Sequence, residues 1–234
     1  MAISVGLIET ARVEAGRVPL WPMHLARLAA SAKALGLPLP DHLPDQAQVV
    51  AAAGSIRGPA AVRLTLAAEC VRLDPRPVPP AGEGWNVCAA PNVRKPDSLV
   101  AHKTTARANH EVAAAYARSL GCQEAVWLDP VRRLTEGTIT NLFVCRRGRV
   151  LTPSGECGLL PGIARGRLLA VRRLAGHPVE EADLRPQDLA DSDEVFLTNA
   201  VRGAIPVLAW EGVPLRRGPL WQAAVEAIFS GTRC

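Results

Sequence analysis

Two side chains in this sequence could share one piece of chemistry: Lys103, in the run His102–Thr105 (HKTT), and Glu136, in Leu134–Asn141 (LTEGTITN). Glu136 stands alone among Thr, Gly and Ile residues that otherwise read as a strand. A buried carboxylate there is costly unless a cation faces it, and Lys103 is the nearest upstream cation with chemistry of its own. Arg27 is a third candidate, sitting off the apolar stripe of a predicted helix; by residue type alone it reads as a solvated helix residue. The fourth is a Gly and Pro loop running into a helix at Gly158–Arg165 (GLLPGIAR). Such a junction exposes backbone N–H groups at a helix N-terminus, which suits a phosphate.

Several familiar chemistries are excluded. The sequence has no HExxH, no GxSxG and no GxxxxGK[ST], and His24, His42, His102, His110 and His177 share no ligand spacing. The simplest zinc, serine-hydrolase and P-loop readings fall away, and no metal is expected. One ligand would use all four remaining features: an aldehyde that carries a pyridine nitrogen and a phosphate, which is pyridoxal 5'-phosphate (PLP). The lysine that binds the aldehyde must have a neutral amine although its free pKa is ~10.4, so burial or nearby positive charge has to depress it. A carboxylate must keep the ring nitrogen protonated, and the phosphate wants helix N-terminal amides and a guanidinium fork. Any chain of enzyme size offers a Lys, a Glu and an Arg, so residue types alone leave other readings open.

Composition sets the frame. The 234 residues are 48% hydrophobic and 21% charged with a net charge of +5, a globular balance that fits one large domain or two of ordinary size. The basic excess favours small anions. Aromatics are only 4%, so no stacking platform interleaved with basic residues is present and no nucleic-acid partner is expected. The six cysteines, Cys70, Cys88, Cys122, Cys145, Cys157 and Cys234, form no CxxC and fit thiols in a reducing compartment. The first residues have no basic region followed by an apolar core, and no apolar run reaches the ~18 residues of a membrane span. A soluble, cytoplasmic protein is the expectation.

The elements that must position these residues can be read in order. Ile3–Val13 and Val18–Leu20 suggest a hairpin about Glu14–Arg17. Pro22 opens a helix through Leu35 that Gly36 closes, with Leu25, Leu28, Ala32 and Leu35 on its apolar face and His24, Arg27 and Ser31 on another stripe. A short helix over Pro44–Ala53, strands at Ala60–Ala67 and Trp85–Ala90, and a Pro and Gly rich connection at Asp74–Gly84 follow. Pro91–Asp97 reads as the link between two α+β domains, placed at 1–92 and 101–234 with 93–100 between them. The second domain then reads as a helix at Ala106–Leu120, a strand at Glu124–Leu128, the Glu136 strand, a hairpin about Arg147-Gly148, and a helix from the Gly158 loop to about Leu174. A strand near Val179, a short helix after Pro186, strands at Glu194–Thr198 and Ala204–Trp210, and a helix from Pro219 complete it.

From Leu7 to Ala209 the chain resembles the class IV aminotransferases of PLP fold type IV, a group that includes branched-chain aminotransferases, D-amino-acid aminotransferases and 4-amino-4-deoxychorismate lyases. The motifs occur in the group's order: Leu7–Gly36 resembles its N-terminal hairpin and helix, followed by HKTTAR, LTEGTITNLF and GLLPGIARGRLL. The resemblance implies that Arg27 binds the cofactor phosphate, Lys103 forms the Schiff base with the cofactor, and Glu136 pairs with the pyridine nitrogen. It also implies a phosphate cup made by the amides of Ile163 and Ala164 with Thr198 and Asn199, and a homodimer. Thr10, Arg107, Thr138 and Thr140 are candidate substrate-lining residues; as strand residues the threonines read equally as β-propensity. Lys103–Arg107 (K-T-x-x-R) and Leu197–Val207 (LTNAVRGAIPV) look most like the lyase branch. Ala108 stands at the fifth position after the lysine, where branched-chain enzymes carry an active-site tyrosine. The expected activity is therefore a lyase that releases pyruvate and 4-aminobenzoate for folate biosynthesis, with a class IV aminotransferase acting on a D- or branched-chain amino acid as the alternative. Two departures from the group's pattern are expected to matter: few residues precede the position of Leu7, where the group commonly has an extra strand and a glycine-rich turn, and Ala164 stands where a threonine is frequent at the phosphate loop.

Overall fold

A computed structural model describes residues 5–67, 70–80, 82–95 and 97–230. Ile3 of the first expected strand, Ala81 of the Pro and Gly rich connection, Pro96 of the expected link and Cys234 lie outside them. The chain groups into two compact units: one holds the described residues up to Pro80 together with His102–Arg107, the other Gly82–Ala101 and Ala108–Ser230. This grouping differs from a division at 93–100. Trp85–Ala89 pairs within the second unit's sheet, and the lysine segment hydrogen-bonds to the first unit's initial strand.

The first unit is an antiparallel sheet of β1 (Leu7–Val13), β2 (Ala60–Ala67) and β3 (Cys70–Pro77), with α1 (Trp21–Leu35) and α2 (Gln46–Ala53) packed on one face. Leu7, Ala11 and Val13 alternate along β1 and meet Leu28 and Ala32 of α1 and Val49 of α2 in a single core. Gly36 ends α1 in the left-handed region (φ 63°), its N–H donating to the carbonyls of Ala32 and Lys33, a conformation glycine takes without strain. Asp45 and Gln48 form a reciprocal cap at the start of α2.

Two expectations are corrected here. The N-terminal hairpin shrinks to an isolated Glu14–Arg17 bridge, and β1 pairs instead with β2, residues Leu7–Val13 against Leu66–Ala60. Pro19 cannot donate to a ladder, and Leu20 (φ 65°) turns the chain directly into α1. Part of the Asp74–Gly84 connection is strand: β3 runs to Pro77, and its prolines are tolerated because it is an edge strand.

The second unit is built on a ten-stranded sheet. Its strands are β4 (Trp85–Ala89), β5 (Glu124–Leu128), β6 (Leu134–Gly137), β7 (Asn141–Arg146), β8 (Arg149–Pro153), β9 (Arg173–Leu174), β10 (His177–Ala182), β11 (Glu194–Asn199), β12 (Gly203–Trp210) and β13 (Val213–Pro214). Because β7 also pairs with β11, the strands β4, β5, β6, β7, β11 and β12 close into a ring, from which β8, β10 and β9 extend. Val87, Val126, Leu134, Leu142, Val144, Leu197 and Ile205 fill one side of this ring. Among the described residues the unit has the α-helices α3 (Ala108–Ser119), α4 (Ile163–Val171), α5 (Pro186–Ala190) and α6 (Leu220–Phe229). The crossover that parallel β4 and β5 require is supplied by α3, whose Ala113 and Ala117 sit one turn apart against Cys88, Ala125 and Trp127. The helix expected to reach Leu174 stops at Val171: Arg172 is left-handed (φ 60°), and Arg173–Leu174 turns into β9.

Candidate active site

On the first unit the lysine segment adds to the open edge of β1. The Ile8 N–H donates to the Lys103 carbonyl (2.8 Å), Thr105 N–H donates to Gly6 O (2.9 Å), and Leu7 faces Thr104 across an antiparallel bridge. Lys103 is thus anchored through its backbone at a strand edge. Arg27, on α1, meets a partner that sequence reasoning passed over, Glu9 on β1. Arg27 Nη2 donates to Glu9 Oε2 (2.6 Å) and Nε to Oε1 (2.8 Å), while His24 Nδ1 lies 2.7 Å from Oε2. Burial alone would push the Glu9 carboxyl up; the hydrogen bonds and charges of His24 and Arg27 outweigh it and bring the pKa down to about 2. For His24, burial lowers the pKa, and the charges of Arg27 and Lys103 act in the same direction against the pull of Glu9. The His24 Nε2 is buried and without a hydrogen-bond partner among the described residues. Arg27 is therefore no solvated helix residue: it is a fork held against a buried acid. Thr10 stands opposite Arg63 on β2, and Arg107 ends the lysine segment.

The second unit places Glu136, Ile163, Ala164, Thr198 and Asn199 around the first residue of β7. Asn141 is the register partner of Glu136 on one side and of Thr198 on the other. Residues directly opposite in an antiparallel pair share a face, so all three side chains leave the sheet together. Glu136 reaches that face through a bulge. Leu134 opposes Leu128 and Gly137 opposes Val126, so three steps on β6 match two on β5, and the extra residue breaks the alternation: Leu134 faces into the ring and Glu136 out of it. Arg94 Nη2 donates to Glu136 Oε1 (2.8 Å). Its guanidinium also lies 4.7 Å from the centre of the Trp127 ring, beside a cleft of about 170 Å³ that Asn92, Lys95 and Asn109 help to line.

At the start of α4 the N-cap is Gly162, with no side-chain cap, and Ile163 and Ala164 are the first helical residues, their N–H groups among those a helix leaves without an internal partner. The Thr198 hydroxyl is buried and has no hydrogen-bond partner among the described residues. Asn199 uses its Oδ1 to accept from the Val201 and Arg202 N–H groups, shaping the turn into β12. A helix start, an orphaned hydroxyl and a buried carboxylate on one face form a donor and acceptor set that fits the phosphate and ring nitrogen of PLP.

Thr138 and Thr140 face a different acid. Glu124 on β5 accepts from Thr138 N–H (2.9 Å), Thr138 Oγ1 (2.6 Å), Ile139 N–H (3.2 Å) and Thr140 Oγ1 (2.9 Å). Burial raises its pKa, and these bonds pull the other way. Sequence reasoning missed Glu9, Glu124, Arg94 and Asn141. The signal that exposed Glu136, a lone acid in an apolar strand, was present for Glu9 in Leu7–Val13 and for Glu124 in Glu124–Leu128. Nothing in the pattern marks Arg94, which lies in irregular chain.

Among the described residues no group of His, Cys, Asp and Glu could hold a metal ion, and no helix is long and apolar enough to cross a membrane. The model of the family described as "Amino-transferase class IV" matches residues 6–210. The chain belongs to the class IV aminotransferase family. A curated relative, the "Probable branched-chain-amino-acid aminotransferase" of Thermotoga maritima, is 30% identical over 122 residues, which are 52% of this chain but only 43% of that protein. Among solved structures, the Legionella pneumophila "Putative 4-amino-4-deoxychorismate lyase" superposes with a TM-score of 0.81 at 24% identity, covering 92% of this chain and 87% of the other. A "hypothetical aminotransferase" of Mycobacterium tuberculosis in its PLP-bound form gives 0.83 at 23% identity, over 97% and 90%. These two likenesses show the fold. PLP is the cofactor of the class IV family, and the chain is an enzyme of that class with fold type IV architecture.

Proposed function

We propose that this class IV enzyme is a 4-amino-4-deoxychorismate lyase, releasing pyruvate and 4-aminobenzoate. The observation that carries the reading is Ala108, the exposed first residue of α3, which puts a methyl group where the branched-chain branch has a phenol. The Leu197–Val207 segment (LTNAVRGAIPV), which forms the end of β11, the Asn199 turn and the start of β12, supports it, as does the fold shared with the Legionella protein. A second reading, an aminotransferase acting on a branched-chain or D-amino acid, is favoured by the sequence likeness to the Thermotoga relative.

Bound PLP supplies an electron sink for the carbon beside the substrate's amino group. On the first unit, Lys103 would hold the cofactor and, as a free amine, would move the proton of that carbon, and Arg27, oriented by Glu9, is assigned to the phosphate. On the second, Glu136 keeps the proton on the ring nitrogen, and the N–H groups of Ile163 and Ala164 with the Thr198 hydroxyl and Asn199 receive the phosphate. Thr138 and Thr140 act through the turn they tie to Glu124, while Thr10 and Arg107 are assigned to the substrate. The proposal extends to a cytoplasmic homodimer. Incubation with aminodeoxychorismate should yield pyruvate and 4-aminobenzoate in equal amounts; amino-group exchange with a keto acid and neither product would make the enzyme a transaminase. A Lys103→Ala protein that still took up cofactor in borohydride-stable form would overturn the lysine assignment.

A further inference from the structure

The Asn141 side chain touches both the strand acid and the approach to α4. Its Nδ2 carries two N–H donors, one aimed at the Leu160 carbonyl (3.0 Å), the other at Glu136 Oε2 (3.5 Å, the outer limit of a hydrogen bond). Both partners are acceptors, which fixes the amide with its nitrogen toward them and its Oδ1 toward Gly162. A Cβ on Gly162 would run into that Oδ1 and lie 3.1 Å from Asn141 Cγ. Gly162 has φ −64° and ψ 141°, values open to any residue, so its lack of a side chain is explained by the approach of Asn141 and not by backbone strain. The amide is buried and joins, through its register partners, Glu136 on β6 and Thr198 on β11.

We propose that Asn141 is a positioning residue that locks the Glu136 carboxylate to the N-terminus of α4, so that one amide sets the distance between the acid for the ring nitrogen and the amides for the phosphate. This rests on the roles given above to Glu136 and to α4. Asn141→Ala leaves the Leu160 carbonyl and the Glu136 oxygen without that donor. Asn141→Asp is worse, because it sets an acceptor against two acceptors and a second negative charge beside Glu136.

Two measurements test this together. The first uses thermal unfolding of the cofactor-free protein. Gly162→Ala should lower the melting temperature in the parent, and the loss should vanish in an Asn141→Ala background, where the added methyl has room; an equal loss in both backgrounds refutes the geometry. The second uses binding of PLP and of inorganic phosphate to the cofactor-free protein, with the pH midpoint of the bound cofactor's absorbance. Asn141→Ala should weaken both ligands about tenfold and move the midpoint in the same direction as Glu136→Gln, with Asn141→Asp moving it further. Should Asn141→Ala fail to fold, Asn141→Ser takes its place in both arms. If Glu136→Gln moves the midpoint and the Asn141 variants change neither midpoint nor phosphate affinity, the positioning role is refuted while the Glu136 reading stands. If Glu136→Gln itself leaves the midpoint in place, the reading beneath the proposal is refuted.

Discussion

Replacing Glu9 by Gln isolates the charge balance of the first unit. The Glu9 carboxyl falls from 4.5 to about 2 because His24 and Arg27 outweigh the cost of burial, and that difference corresponds to about 3 kcal/mol of folding free energy. Removing one partner of a buried ion pair costs about 3–5 kcal/mol, a range that includes this value. The sign with pH is set by the depressed pKa: the contribution is fully present above pH 4.5, and is lost as pH falls toward 2. At pH 3 less than half of it should remain. Urea unfolding of the parent and Glu9→Gln proteins at pH 7, 5 and 3 should therefore show a gap of about 3 kcal/mol at pH 7 that narrows to roughly 1.4 kcal/mol at pH 3. His24, depressed by burial, adds a separate loss of stability as pH falls through 6.5, and this is present in both proteins to the extent that the imidazole stays buried. A gap below 1 kcal/mol at pH 7, or one that does not change between pH 7 and pH 3, would show that Glu9 is not the ionised partner of Arg27.

Three further outcomes are expected. Glu136→Gln should keep most of the PLP affinity but lose about a hundredfold or more in turnover, because a neutral amide cannot hold the ring proton; near-normal kcat would make the strand acid structural. Glu124→Gln should lower stability by about 1–3 kcal/mol, since its NH2 group must face at least one of the donors on Thr138–Thr140; an unchanged melting temperature would show that those bonds contribute little. Phe143→Ala opens a cavity where Phe143 stacks on Phe196 at 5.1 Å, both fully buried, and should cost about 3–5 kcal/mol by denaturant unfolding, whereas a cost under 1 kcal/mol would mean that the site collapses around the loss.

What could be read from the sequence was local. The helix from Pro22 to Gly36 and the hairpin about Arg147-Gly148 (φ 51° and 72°) were visible because their start, stop and turn signals lie within a few residues of each other. The pairing of β1 with β2 was not, because nothing near Leu7–Val13 distinguishes a partner at Val18–Leu20 from one at Ala60–Ala67; the competition is settled by Pro19 and by the core the three strands share with α1 and α2. The same limit applies to the site. Lys103, Glu136 and the α4 start carry their own residue-type signals, and Glu9 carries the same lone-acid signal as Glu136, whereas Arg27 and Arg94 matter only through what folding brings beside them.

The isolated acid in Leu134–Asn141 turns out to have a counterpart. Glu124 on β5 and Glu136 on β6 stand on neighbouring strands, and the bulge in β6 sends them to opposite sides. Glu124 sits on the ring side with Val126, where two hydroxyls and two backbone N–H groups of Thr138–Thr140 converge on it, and Gly137 has no side chain because a Cβ there would lie 2.8 Å from the Glu124 carboxyl. With its oxygens so engaged, Glu124 has little capacity left for a ligand, and its work is to hold the turn. Glu136, turned outward by one extra residue, meets a guanidinium on one oxygen and an amide at the limit of bonding distance on the other. Glu136 thus lies on the face that carries the buried Thr198 hydroxyl and the approach to α4, the face to which its proposed role toward the ring nitrogen belongs. The two carboxylates face opposite sides because of a single inserted residue, and burial alone, which they share, does not separate them.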